Sequence, residues 1–151
     1  MAQSLSNVLV HLIFSTKDRF AFLTDSEIRR RMHAYIATVI TEENCPVLEV
    51  GGTHDHVHVF YSLSRTKSIS DVVRKAKANS SGWAKSQGGI LSKFSWQGGY
   101  GAFSVHPSQS EQVKNYIRNQ HDHHRVRSFQ EEYLEFLREY EVTFDEKFIW
   151  S

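Results

Sequence analysis

The sequence predicts an α+β fold, an antiparallel sheet with helices laid on one face. Three observations carry that expectation. Short apolar, β-rich runs recur at Val8 to Phe14, Pro46 to Val50, His56 to Leu63 and Tyr100 to Val105. Longer stretches with apolar residues at helical spacing separate them. The breakers fall between these runs: the prolines are Pro46 and Pro107, and glycine pairs stand at Gly51-Gly52, Gly88-Gly89 and Gly98-Gly99.

Taken in order, Val8 to Phe14 reads as a buried first strand. Thr24 and Glu27 stand at capping-box spacing. The helix they open runs to about Glu43, with Ile28, Met32, Tyr35, Ile36, Val39 and Ile40 as its apolar stripe. Pro46 to Val50 reads as the second strand, Gly51-Gly52 as a turn, and His56 to Leu63 as the third strand of a hairpin. Ser68 or Ser70 caps a second helix from Ile69 to Trp83 or slightly beyond, broken at Gln87-Gly88-Gly89. Tyr100 to Val105 is the fourth strand. Pro107 and Ser108 open a third helix carrying Val113, Tyr116 and Ile117. Ser128 caps a fourth, striped by Phe129, Tyr133, Phe136, Leu137 and Tyr140. The aromatic tail, Val142 to Trp150, is expected to pack on the body.

The order β-α-β-β-α-β, followed by two more helices, is the ferredoxin-like plan, whose first and third strands are the central pair. A strand alternates faces. With Val57, Val59 and Tyr61 under the first two helices, His56 and His58 face the open side of the sheet, and His11 falls on the same face.

A chain of 151 residues suits one domain, residues 1–151, with a sizeable core. No apolar run approaches the roughly 20 residues of a membrane span, so no membrane association is expected. The N-terminus lacks the charged start and apolar stretch of a signal peptide. Cys45 is the single cysteine, which excludes an internal disulfide framework and a cysteine-based zinc site and points to a reducing, cytoplasmic setting. The net charge of +1 conceals a split. From Arg65 to Lys93 the charges are basic except Asp71, whereas Glu131, Glu132, Glu135, Glu139, Glu141, Asp145 and Glu146 dominate the C-terminal stretch.

The chemistry sits in two motifs, His56-Val57-His58 on a strand and Tyr116-Ile-Arg-Asn-Gln120 on a helix. Imidazoles at i and i+2 of a strand can share one divalent ion. Positions four apart on a helix share a face, which puts Tyr116 beside Gln120. A metal held by His56, His58 and Gln120 would polarise a phosphodiester, and Tyr116 would attack it. Covalent capture keeps the bond energy for a later rejoining step. Such chemistry implies nucleic acid as substrate. Lys17, Arg19, Arg65, Lys67, Arg74, Lys75 and Lys77 are the candidate phosphate contacts. Trp83 and Trp96 are read as core, and His121, His123 and His124 as a solvated helix end.

The chain resembles the HUH-type single-tyrosine transposases of insertion sequences, a group that includes REP-associated members. The likeness spans most of its length. His11 with Ser15-Thr-Lys-Asp-Arg19 resembles the first strand and its exit. Gly52-Thr-His-Asp-His-Val-His-Val-Phe60 resembles the strand bearing the paired histidines. Trp96-Gln-Gly-Gly-Tyr-Gly-Ala-Phe-Ser104 resembles the late strand. Val113-Lys-Asn-Tyr-Ile-Arg-Asn-Gln120 resembles the catalytic helix, and His123-His-Arg125 with Phe129-Gln-Glu-Glu-Tyr133 the C-terminal part. The resemblance implies Tyr116 as nucleophile and His56, His58 and Gln120 as ligands of Mg²⁺ or Mn²⁺. It also implies a homodimer that recognises a single-stranded DNA hairpin and forms a 5′-phosphotyrosine.

The alternatives are a domesticated enzyme of this kind acting on genomic palindromic repeats, or a non-catalytic ferredoxin-like nucleic-acid-binding module. A base-stacking module would carry aromatics where His56 and His58 stand. A zinc hydrolase would want further ligands directly after the pair, where Val59-Phe60 follows. A two-histidine phosphoesterase needs two His-x-Thr/Ser motifs, and only His106-Pro-Ser108 has that form.

Overall fold

A computed structural model describes residues 2–124 and 127–151. Four strands, β1 (Leu9–Ser15), β2 (Val47–Gly52), β3 (His56–Ser62) and β4 (Gly101–Val105), form one antiparallel sheet in the order β2-β3-β1-β4. The central pair is β1 with β3, as the ferredoxin-like plan requires. The register sets Ser15 opposite His56, Ile13 opposite His58 and His11 opposite Phe60.

Among the described residues, five α-helices accompany the sheet: α1 (Ser26–Glu42), α2 (Ile69–Ser86), α3 (Ser110–Arg118), the short α4 (Gln120–His123) and α5 (Phe129–Glu139). Helices α1 and α2 cover one face. There Val10, Leu12, Phe14, Val57, Val59 and Tyr61 meet Met32, Ile36, Ile40, Val73 and Ala76 in the main core. Trp96 belongs to this core and donates from Nε1 to Ser80 Oγ at 2.9 Å. Among the described residues no helix is long and apolar enough to cross a membrane.

Several local expectations need correction. The N-cap of α1 is Asp25, whose carboxylate accepts from the Glu27 and Ile28 amides, in place of Thr24. Gly51 and Gly52 are not a turn; they pair with His58 and Val57 as the end of β2. Their lack of side chains serves close approach. A Cβ on Gly51 would lie 2.7 Å from the Ile117 carbonyl oxygen, so this glycine lets α3 seat against the sheet edge. The third helix begins after a 3₁₀ turn at Pro107–Gln109, and its axis breaks at Asn119 (φ −100°, ψ 26°) before α4.

The largest correction concerns the second sheet face, which is not open. Helices α3 and α5 pack across it, with Ile117 against Leu9, Phe60 and Val105, and Phe129, Tyr133 and Leu137 against Ile13 and Phe103. The tail packs there as expected: Phe144, Ile149 and Trp150 lie against the second group.

Candidate active site

The sheet register decides where the histidines go. His56, His58 and His11 all project from the face that α3 and α5 cover, and all three are buried. His11 and His58 are diagonal neighbours across β1 and β3, a spacing long side chains can bridge. Their ring nitrogens, His11 Nε2 and His58 Nδ1, lie 2.8 Å apart. On the other ring, His56 Nδ1 meets the Asp55 carboxylate at 2.8 Å and Thr53 Oγ1 at 3.0 Å. Each histidine of the pair is thus oriented through Nδ1 by a second residue, leaving Nε2 aimed at a common point, the arrangement of metal-ligating histidines.

Around that point stand Gln120 and a residue the sequence reading left on the solvated acidic stretch, Glu132. Gln120 Oε1 lies 3.0 Å from His56 Nε2. The Glu132 carboxylate is fully buried, with Oε1 at 3.0 Å from His58 Nε2, 3.6 Å from His56 Nε2 and 3.3 Å from His124 Nε2. His56, His58 and Glu132 form a group able to hold a metal ion, their ligand atoms all within 4.8 Å of one another. Donors bound at about 2.1 Å to one ion lie roughly 3–4 Å apart, so nitrogen and oxygen donors at these separations fit a divalent cation.

The nucleophile candidate joins the same cluster. The Tyr116 hydroxyl donates to Glu132 Oε2 and accepts from Arg127 Nη2 at 2.8 Å. Its ring stacks on His123 with centroids 4.4 Å apart, and meets His58 edge-on at 5.9 Å. The break at Asn119 does not separate Tyr116 from Gln120, whose amide nitrogen reaches back to the Tyr116 carbonyl oxygen at 3.4 Å. His56, His58, Gln120, Tyr116 and the supporting His11 therefore come together within one chain.

Electrostatics follow from this crowding. Burial works to raise the Glu132 carboxyl, but His58, His124 and His56 outweigh it and hold the group ionised, well below the usual carboxylate range. Burial holds the His11 and His58 rings neutral. Burial and the neighbouring Glu132 charge push the Tyr116 phenol above its ordinary value, with Arg127 opposing them.

The proposed DNA-contact residues lie elsewhere. Lys67 and Lys75 both bond to Glu43, at 2.9 and 2.5 Å, and Arg74 bonds to Asp71 at 3.1 Å. Lys77 is inward-turned: its Nζ donates to the Gln97 and Gly99 carbonyls at 2.8 and 2.6 Å, and burial lowers its pKa to about 8. Helix α2, which carries Arg74, Lys75 and Lys77, packs on the sheet face opposite the histidines. Arg65 and Lys17 are exposed, while Arg19 is half-buried with its guanidinium over Trp150 at 5.5 Å.

Sequence reasoning missed Glu132, Asp55, His123, His124 and Arg127. Glu132 carried a readable signal. Phe129, Glu132, Tyr133, Phe136, Leu137 and Tyr140 follow helical i, i+3, i+4 spacing, so this one carboxylate stands within the apolar stripe. His123 and His124 are not a solvated end; the break at Asn119 turns them into the site. Arg125 lies outside the described residues.

Fold and site together define an α+β protein with a buried, metal-competent histidine centre beside a tyrosine. The chain matches the family of IS200-like transposases over residues 4–120 and belongs to it. Transposases cut and rejoin DNA, and the matched segment ends at Gln120, ahead of Arg127 and Glu132. Two solved structures share the fold. One is described as a transposase, from Deinococcus radiodurans R1, with 22% identity over 80% of this chain and 95% of the other, at a TM-score of 0.62. The second is a REP-associated tyrosine transposase bound to a REP hairpin, with 14% identity over 82% of this chain and 72% of the other, at a TM-score of 0.59. No curated protein matches the sequence.

Proposed function

We propose that residues 1–151 act as one HUH-type transposase domain that cleaves and rejoins single-stranded DNA through a 5′-phosphotyrosine on Tyr116. One observation carries this reading. The Tyr116 hydroxyl and the His58 imidazole bond to the two oxygens of one buried carboxylate, so nucleophile and metal donors are a single side chain apart. His56, His58 and Gln120 would hold the ion, Mg²⁺ or Mn²⁺, with Glu132 as a further donor. Bound there, it supplies Lewis-acid polarisation of a non-bridging phosphate oxygen.

The rest of the reaction belongs to the chain's own groups. His11 and Asp55 fix the two imidazoles. Gln120 keeps its amide oxygen toward His56 because its nitrogen is used by Tyr116 O and Glu132. His123 stacks on the phenol and holds its plane. Tyr116 Oη attacks phosphorus, the P–O3′ bond breaks, and a 3′-hydroxyl leaves once it takes up a proton. That hydroxyl can reverse the step at another phosphotyrosine without external energy.

Hairpin DNA is the substrate to test first, because the REP-associated neighbour is bound to a REP hairpin. Excision needs two cuts, which supports a homodimer acting in the cytoplasm. The test uses single strands from the DNA flanking the gene, labelled at the 3′ end, with Mn²⁺. The wild type should form a labelled adduct that survives a denaturing gel. Tyr116→Phe should bind strands but form none; an adduct in that variant removes Tyr116 from the mechanism. A chain that sediments as a monomer with and without DNA refutes the dimer. Cleavage restored by mixing Tyr116→Phe with His56→Ala would place the tyrosine in trans.

A further inference from the structure

Arg127 touches the one oxygen on which the reaction turns. It lies beyond the segment that matches the family, in the connection between α4 and α5. Its Nη2 donates to Tyr116 Oη at 2.8 Å, while Nη1 pairs with Glu135. Its side chain is 23% exposed and that of Glu135 is 57% exposed. Arg127, Tyr116, Gln112 and Glu135 line a cavity of about 210 Å³ that borders the phenol and His11. That volume is below the roughly 300 Å³ at which ligand pockets begin, so it suits a phosphodiester link better than a whole nucleotide.

A tyrosine that attacks phosphorus develops negative charge on Oη as its proton leaves. Glu132, on one side of that oxygen, takes the hydrogen bond but brings a negative charge of its own. Something must offset the two charges, and among the described residues the Arg127 guanidinium is the cation in contact with Oη. Arginine presents its donors as a planar fork that can hold two oxygens at once. We propose that Arg127 is a catalytic residue of the tyrosine reaction: one nitrogen holds the Tyr116 oxygen, and the other, paired with exposed Glu135 in the absence of DNA, takes the phosphate that Tyr116 attacks. The inference rests on Tyr116 being the nucleophile. In the step, the phenol proton leaves to water, the Oη–P bond forms as the P–O3′ bond breaks, and the departing O3′ takes a proton from water. Arg127 stays charged throughout and bonds to the attacking oxygen before the step and to the phosphotyrosine after it.

The test compares wild type, Tyr116→Phe, Arg127→Ala and Arg127→Lys on the same 3′-labelled flanking strands with Mn²⁺, at saturating strand and with melting temperatures checked. Removing a donor aimed at developing charge slows the chemical step about 100-fold, so Arg127→Ala should form adduct about that much more slowly. Strand affinity should change little. Arg127→Lys, which keeps the charge and loses the fork, should fall between and carries the test if Arg127→Ala does not fold. Free guanidinium ion should restore part of the Arg127→Ala rate and none of the Tyr116→Phe rate. A wild-type adduct rate in Arg127→Ala overturns the assignment and leaves Tyr116 standing. A slow Arg127→Ala that guanidinium does not rescue, with Arg127→Lys equally slow, makes the residue structural and also overturns it. Adduct formation in Tyr116→Phe overturns the reading beneath both.

Discussion

Replacing Glu132 by alanine tests the centre of the site. Its carboxylate accepts from His58 at 3.0 Å, His124 at 3.3 Å, Gln120 at 3.4 Å and the Tyr116 hydroxyl, and it is fully buried. Glu132→Ala strands these partners without their acceptor. An unsatisfied buried group costs about 1–3 kcal/mol, but the space vacated is polar and admits water. Four stranded partners, rescued in part by that water, should therefore cost about 3–5 kcal/mol together. At about 2–4 °C per kcal/mol for a chain of this size, the melting temperature should drop by roughly 10 °C. Glu132→Gln keeps the shape and one acceptor and should cost about 1–2 kcal/mol. Mn²⁺ supplies the second readout. An ion at 100 times its Kd stabilises the folded state by about 2.7 kcal/mol, and the wild type should show a rise of that order in a thermal-shift titration. Glu132→Ala should need more metal for the same rise. A variant that melts with the wild type would refute the claim that this carboxylate ties the site together. One that gains as much from metal at the same concentration would refute its place among the donors.

Three further outcomes are expected. Gly51→Ala puts a methyl 2.7 Å from the Ile117 carbonyl and must push α3 off the sheet edge; calorimetry should register a loss of about 1–3 kcal/mol, with adduct formation falling further because Tyr116 rides on α3. His33 has its Nε2 buried without a partner among the described residues, and burial, with Arg29 nearby, lowers its pKa from 6.5 to about 4. The unfolded chain then binds more protons between those values, so stability falls as pH drops through that window, by at most about 3 kcal/mol; His33→Gln should flatten that part of a urea-melt pH series, and an unchanged slope would refute it. Lys17→Ala with Arg65→Ala should lower the salt dependence of strand binding by about 0.7 log units for each phosphate no longer neutralised, whereas an unaltered slope would remove both from the DNA surface.

Most of the fold was legible because it rests on local rules. Alternation in His56 to Ser62 placed the two histidines on one face and Val57, Val59 and Tyr61 on the other, and the core follows that division. The order of elements then made β1 and β3 neighbours and brought His11 beside His58. What the sequence did not disclose was the covering of the histidine face. Which helix returns across a sheet depends on packing between residues far apart in the chain, here Ile117 on Phe60 and Phe129 on Ile13. Local periodicity cannot report that. Once the face is covered, the meaning of the C-terminal charges changes. Glu131 stays exposed, whereas its neighbour Glu132, on the apolar stripe, becomes the partner of three histidines and a tyrosine. Asp55 is hard to read for a related reason: it stands just before the strand, where face alternation does not say which way a side chain points. Asp55 precedes β3, where the backbone is not yet alternating, and can fold onto the ring.

The basic segment poses a different problem. A run of cations in sequence is not a run of free cations in space. Glu43, at the end of α1, meets the start of α2 and takes both Lys67 and Lys75, and burial beside backbone carbonyls takes Lys77. These bonds couple the two helices that back the sheet, so the charges carry part of the fold. The Lys67 and Lys75 side chains are 33% and 50% exposed, so either can turn from Glu43 toward a phosphate. Lys77 differs, since moving it would strand the Gln97 and Gly99 carbonyls. A DNA surface on α2 therefore requires exchange of Glu43 for a strand. Binding there should weaken with salt, and Glu43→Gln, which frees both lysines, should strengthen it. If Glu43→Gln leaves strand affinity unchanged, the lysines belong to the fold alone.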